Sequence, residues 1–197
     1  MTQRIVLASS NTGKVKEFSE LLAGHDITVV PQTDFGVPDA DETGLTFVEN
    51  AILKARNAAA HTGLPAIADD SGLEVDFLNG APGIYSARYA RAGGSGANNE
   101  KLLQALSGVD NALRGARFQC LLVYIRHADD PTPIICQGTW EGRILGTVQG
   151  EAGFGYDPLF YVPDEACSAA ELAAERKNEI SHRGQALRCL LAALSAA

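Results

Sequence analysis

The spacing of apolar positions changes style along this chain. Ile5-Val6-Leu7-Ala8 is a short unbroken apolar run, which predicts a buried strand. A polar loop follows, Ser9-Ser10-Asn11-Thr12-Gly13-Lys14. Val15, Phe18, Leu21 and Leu22 then recur at helical spacing, with Lys16, Glu17 and Glu20 between them. Ile27-Thr28-Val29-Val30 predicts a second strand, so the chain opens as strand, glycine-containing loop, helix, strand. Thr46-Phe47-Val48-Glu49 has the form of a capping box and predicts a helix running to about His61. Phe47, Ala51, Ala55, Ala58 and Ala59 are its packing face, and Asn50, Lys54, Asn57 and His61 form a polar stripe.

The next apolar run, Ala66-Ile67-Ala68, delivers two adjacent carboxylates, Asp69 and Asp70. Ser71-Gly72 predicts a turn, and Leu73 and Val75 resume at strand spacing. Alternation puts Asp69 and Asp70 on opposite faces of a continuing strand, whereas at a strand end both can reach one site. Gly93-Gly94-Ser95-Gly96 reads as a mobile loop or a lobe connection, and Asn98 or Asn99 as the cap of a helix carrying Leu102, Leu103 and Leu106. Phe118 to Ile125 predicts a strong strand, turned at Asp129-Asp130-Pro131. Ile134-Ile135-Cys136 begins the return, and Thr139 to Ile144 extends it or pairs with it. Ser168-Ala169-Ala170-Glu171 predicts a helix ending near Lys177, and Ser181 opens a last helix with Leu187, Leu190, Leu191 and Leu194 buried. An opening of parallel style followed by a hairpin predicts an α/β protein with a mixed sheet in two lobes.

Composition narrows the partners. The 197 residues carry a net charge of −8, which argues against nucleic acid and against an anionic membrane surface. An anionic small substrate then needs local cations or a metal ion. Cys120, Cys136, Cys167 and Cys189 are far apart and form no CxxC pair, which argues against zinc and disulfide scaffolds and suits a reducing cytoplasm. Met1 leads directly into the first strand, without a basic start or long apolar run, so neither a secretory leader nor a membrane span is expected.

Against that background the acids and loops acquire chemistry. The Ser9 to Lys14 loop would aim backbone N–H groups at a helix N-terminus, which suits a phosphate. Lys14 stands where the helix dipole disfavours a cation, so either an anion repays its placement or the loop is an ordinary capped turn with Lys14 solvated. The loop is not of the Walker A type, because Val15 occupies the position of the metal-binding Ser or Thr. Gly153-Phe154-Gly155-Tyr156-Asp157 frees the backbone around an aromatic ring able to stack on a base, or forms an ordinary turn over the core. Lys177, Ser181, His182 and Arg183 form a cluster of donors or a plain helix cap.

Taken in order, Ser10-Asn11-Thr12-Gly13-Lys14, Glu42-Thr43-Gly44, Glu49-Asn50-Ala51, Asp69-Asp70-Ser71-Gly72-Leu73, Gly83-Ile84-Tyr85-Ser86-Ala87-Arg88, Phe154-Gly155-Tyr156-Asp157-Pro158 and Ser181-His182-Arg183-Gly184 make a specific set. The chain closely resembles the inosine/xanthosine triphosphate pyrophosphatase family, from the first strand to the last helix. The segment from Arg91 to Asn99 matches none of its motifs.

The resemblance implies hydrolysis of deaminated purine nucleoside triphosphates to the monophosphate and pyrophosphate, with Mg²⁺ as cofactor. It implies an elongated α/β subunit around a long, twisted mixed sheet with flanking helices. Residues 1–197 would form one domain of two lobes with the nucleotide in the cleft between them, and two copies would form a homodimer. Ser9, Ser10, Asn11, Thr12, Gly13, Lys14 and Lys54 are implied phosphate ligands. Glu42 and Asp70 are implied metal ligands, Asp70 is the implied general base with Asp69 its rival, and Ser71 touches substrate. Phe154, Gly155, Tyr156, Asp157, Lys177, His182 and Arg183 are implied around base and sugar.

The residue types suit that chemistry. A carboxylate-rich site repels a triphosphate unless a divalent cation bridges them, and Mg²⁺ prefers carboxylate and phosphate oxygens. One carboxylate can activate water while the cations neutralise the departing pyrophosphate. A phosphotransferase is the rival enzyme class, distinguished by its need for an acceptor other than water. A nucleotide sensor is the rival binding module, distinguished by saturable binding without turnover.

Overall fold

The computed structural model describes residues 3–22 and 25–195. Seven strands form one mixed sheet in the order β2-β1-β3-β4-β5-β6-β7. They are β1 (Gln3–Leu7), β2 (Ile27–Pro31), β3 (Ala66–Val75), β4 (Gly115–Ile125), β5 (Ile134–Ile144), β6 (Phe160–Val162) and β7 (Cys167–Ser168). β1 pairs parallel with β2 and with β3, while β6 pairs antiparallel with β5 and with β7. The helices are α1 (Thr12–Leu21), α2 (Phe47–Thr62), α3 (Gly94–Ala105), α4 (Ala174–Ile180) and α5 (His182–Ser195). None of these helices is long and apolar enough to cross a membrane.

The chain divides into two compact units. The first is Met1–Asp70, Cys120–Gly138 and Arg183–Ala197, and the second is Ser71–Gln119 and Thr139–His182. The first unit has two apolar layers. One joins Ile5, Leu7 and Ile67 to Phe18 of α1 and to Ala186, Leu187 and Leu190 of α5. The other joins Val6, Ala8, Ala66 and Ala68 to the alanine face of α2, so period-two alternation along β1 and β3 feeds both layers. The second unit packs Leu73, Val75, Leu102, Leu106, Phe118, Trp140, Tyr156 and Phe160 into one core.

Three expectations change, and one open choice is resolved. The Asp-Asp-Ser-Gly stretch is no turn: β3 runs unbroken from Ala66 to Val75, because the residues flanking the acids are apolar and buried. Gly94 to Gly96 lie in the first turn of α3, which therefore starts before Asn98 and Asn99. Both asparagines are buried inside that helix, and Asn98 caps the neighbouring backbone by bonding to Ala90 N, Ser86 O and Ala87 O. The Ser168 box closes a turn, with Glu171 Oε2 accepting from Ser168 N at 2.8 Å, and the helix begins only at Ala174. Thr139 to Ile144 continues β5 directly.

Candidate active site

The acids and lysines of the first unit are arranged by β3. Ala66 and Ala68 face α2, and Asp70 continues their row; Ile67 faces α1 and α5, and Asp69 continues that one. The partners follow the rows. Lys54, two turns into α2, places Nζ 2.6 Å from Asp70 Oδ1 and 3.1 Å from Glu42 Oε1. The α2 start that sets this reach is held by the capping box expected from sequence: Glu49 N donates to the Thr46 hydroxyl, and Glu49 Oε2 accepts from Thr46 N.

Asp69 has cations on both oxygens. Lys14 Nζ of α1 is 2.5 Å from Oδ1, and Arg183 Nε of α5 is 2.7 Å from Oδ2. The Cys120 thiol also reaches Oδ2, at 3.5 Å. Arg183 Nη1 in turn donates to Glu17. The loop before α1 is capped from within: Asn11 Oδ1 accepts from Gly13 N and Lys14 N, Ser9 Oγ accepts from Asn11 N, and Ser10 Oγ donates to Asp39.

In the second unit a glycine-flanked loop carries Phe154. Asp157 Oδ2 accepts from Phe154 N at 2.8 Å and from Lys177 Nζ at 2.8 Å, and Nζ also lies 5.1 Å from the Phe154 ring centre. Gly153 has φ +77°, and a Cβ there would meet Asp157 Oδ2 at 2.2 Å, so a side chain would break this clasp. Asn99 Nδ2 donates to Gly155 O at 3.1 Å. Phe154 is half-buried, whereas the Tyr156 side chain lies in the core with its hydroxyl on Ser86 O at 2.8 Å. The His182 ring stacks on Phe118, centroids 4.8 Å apart and planes 12° apart. Ser71 is half-buried on β3.

The Ham1 family model matches residues 5–193. The chain belongs to the Ham1 family. It is 66% identical over 189 residues to a protein of Thioalkalivibrio sulfidiphilus named dITP/XTP pyrophosphatase, covering 95% of this chain and 96% of that one. A Vibrio cholerae protein of the same name is 60% identical over 193 residues, covering 98% and 96%. The structure of a HAM1 protein from Coxiella burnetii is similar at TM-score 0.91 and 52% identity, over 99% of this chain and 100% of that one. A nucleoside-triphosphatase / dITP/XTP pyrophosphatase structure from Mycobacterium abscessus is similar at TM-score 0.75 and 40% identity, covering 96% and 99%.

Electrostatics separate the paired acids of this Ham1-family chain. Burial tends to raise the Asp69 pKa, but the Arg183 charge and then Lys14 outweigh it and hold the carboxyl well below its ordinary value. At Asp70 burial wins over Lys54, and the pKa is raised. Lys54 is itself held charged: burial works against it, and Asp70 first, then Glu42, overcome that.

Asp70 Oδ2 is buried and has no hydrogen-bond partner among the described residues. A carboxylate oxygen in that state suits a cation. Glu42 and Asp70 already converge on one cation, the Lys54 ammonium. Among the described residues no three His, Cys, Asp or Glu side chains converge as a metal cage. Two carboxylates completed by phosphate and water oxygens are the donor set that Mg²⁺ commonly takes, so these residues fit it.

Reading the sequence for ligands missed Glu17, Cys120 and Asn99. Glu17 was open to discovery: it follows Lys14 by three residues on α1 and so shares its face. Nothing local marked Cys120 or Asn99.

Proposed function

We propose that this chain hydrolyses non-canonical purine nucleoside triphosphates, ITP, dITP and XTP, to the monophosphate and pyrophosphate, with Mg²⁺, and so clears deaminated purines from the nucleotide pool. The relatives named dITP/XTP pyrophosphatase support the substrate class. The observation that carries the chemistry is Asp70, a buried carboxylate with one oxygen without a partner among the described residues. Such an oxygen can hold a cation or accept a proton from water.

Glu42 and Asp70 are the residues that would hold Mg²⁺, which when bound supplies charge neutralisation and polarises phosphate oxygens. Asp70 takes the proton of the water that attacks the α-phosphorus. Lys14 and Lys54, with the Ser9–Lys14 loop, bind the phosphates and neutralise the departing pyrophosphate. Ser71 contacts the substrate beside Asp70. Asp69, bonded to Lys14 and Arg183, holds Lys14 in place. For the base and sugar, we assign Phe154 to stacking and Gly155, Asp157, Lys177 and His182 to the surrounding contacts. Tyr156 serves there by backbone alone. Arg183 acts through Asp69 and Glu17. A homodimer in the cytoplasm, acting on free nucleotides and on neither nucleic acid nor membranes, completes the reading.

The test is a panel of nucleoside triphosphates with Mg²⁺, scored for pyrophosphate against orthophosphate. Pyrophosphate from ITP, dITP and XTP, with far less from ATP and GTP, is expected. Orthophosphate as the first product, equal turnover of ATP, or dependence on an acceptor other than water defeats the proposal. Size-exclusion chromatography with light scattering tests the dimer.

A further inference from the structure

We propose that Asn50 is a positioning residue for Glu42, acting through the backbone of Gly44. Asn50 lies on α2, one turn before Lys54, and is wholly buried. Its Oδ1 accepts from Gly44 N at 2.9 Å. Gly44 lies two residues after Glu42, the carboxylate that meets Lys54. Gly44 is packed against the start of the helix: a Cβ there would lie 2.6 Å from Glu49 Cβ and 2.8 Å from Asn50 Oδ1. The absence of a side chain thus lets the loop backbone come close enough for the bond. One rigid helix then fixes the Glu42 loop through Asn50 and supplies Lys54 between Glu42 and Asp70.

The other end of the Asn50 amide makes the point sharper. Its Nδ2 is buried and has no hydrogen-bond partner among the described residues. Exchanging the amide's oxygen and nitrogen would leave Gly44 N without an acceptor, so the orientation is fixed by that bond. A leucine of similar shape would bury no orphan donor. The amide is therefore explained by what its oxygen holds, the Glu42 loop, and not by packing. Groups that orient metal ligands in this way typically cost about 10–100-fold in metal affinity when removed.

This inference rests on reading Glu42 as a metal ligand, and the experiment separates the two. Asn50→Leu removes the accepting oxygen, Asn50→Asp keeps it, and Glu42→Gln weakens the ligand itself. Hydrogen exchange at the Gly44 amide is followed by NMR in metal-free protein, and Mn²⁺ affinity is measured by electron paramagnetic resonance. Expected are faster Gly44 exchange and about 10-fold or more weaker Mn²⁺ binding in Asn50→Leu, with Gly44 protection kept in Asn50→Asp. Weak Mn²⁺ binding in Glu42→Gln is expected too; normal binding there sinks the metal reading alone, while Gly44 exchange still reports on Asn50. A folded Asn50→Leu protein with wild-type Gly44 exchange, or with wild-type Mn²⁺ affinity where Glu42→Gln has lost it, overturns the positioning role. Loss of Gly44 protection in Asn50→Asp as well overturns it. If Asn50→Leu does not fold, Gly44→Ala forces the loop off the helix from the other side, and unchanged Mn²⁺ affinity in that variant overturns the proposal equally.

Discussion

Asp69 and Asp70 are neighbours on one strand with opposite electrostatic fates: Asp69 carries Lys14 on one oxygen and Arg183 on the other, while Asp70 keeps one buried oxygen without a partner among the described residues. The alternation of β3 is the cause, since it turns one acid towards α1 and α5 and the other towards α2. In metal-free protein, carboxyl ¹³C titration should place Asp70 above the ordinary aspartate range and Asp69 well below it. Both titrating in the ordinary range would remove the distinction.

On the proposed reading Asp70→Asn removes a base and a metal ligand without opening the core, so it should lose about 10²–10⁴ in turnover while remaining folded. Circular dichroism and ITP turnover on the same sample check this. Near-normal hydrolysis by a folded Asp70→Asn protein would take Asp70 out of the catalytic role.

Asp69 should fail in a different way. Its pKa is lower folded than unfolded, so its ionisation stabilises the fold above the unfolded value and that stability is lost as pH falls through the folded value. Asp69→Asn leaves the buried Arg183 charge short of a partner and should cost about 3–5 kcal/mol at neutral pH. Its stability should also fall less steeply than wild type between pH 5 and more acidic conditions, measured as urea midpoints across pH. Equal acid sensitivity in both proteins would mean that Asp69 is not the group responsible.

The same pair shows what could be read without coordinates. The Thr46 box and the alanine face of α2 were legible because each is a local pattern with one geometric outcome, whereas the alternation through Asp69 and Asp70 stayed open because Ser71-Gly72 also reads as a turn. The ion pairs of Arg183 were not legible. Its carboxylate partners, Asp69 and Glu17, lie 114 and 166 residues away in the chain, and neither spacing has a local signature. The Ser168 box misled for a related reason: one Glu171-to-backbone bond serves a turn as well as a helix start, and the choice falls to the residues that follow.

The bond broken can be followed by isotope. Attack at the α-phosphorus in ¹⁸O-labelled water should leave the label in the nucleoside monophosphate. Label in pyrophosphate would mean attack at the β-phosphorus, and Asp70 would then have to be aimed elsewhere.

Base choice is the remaining prediction, and we place its weight on Lys177. Hypoxanthine and xanthine present an acceptor oxygen at C6, where adenine presents an amine. A fixed donor bonds the oxygen and is left facing a donor when adenine enters, at a cost of roughly 1–3 kcal/mol for each unpaired group. Arg183 is a poor subject for the test: it is 2% exposed and bonded to Asp69 and Glu17, so Arg183→Ala should chiefly lower stability. Lys177 Nζ sits on the Phe154 loop itself, bonded to Asp157 and close to the Phe154 ring. Lys177→Met keeps the apolar stem and removes the donors. It should lower kcat/KM for ITP more than for ATP, narrowing their ratio by about 10-fold or more. Phe154→Ala removes stacking, which is nearly blind to the base, and should lower both by similar factors. Equal loss for ITP and ATP in a folded Lys177→Met protein would assign Lys177 to shaping the loop, and donor matching would then fail as the source of selectivity.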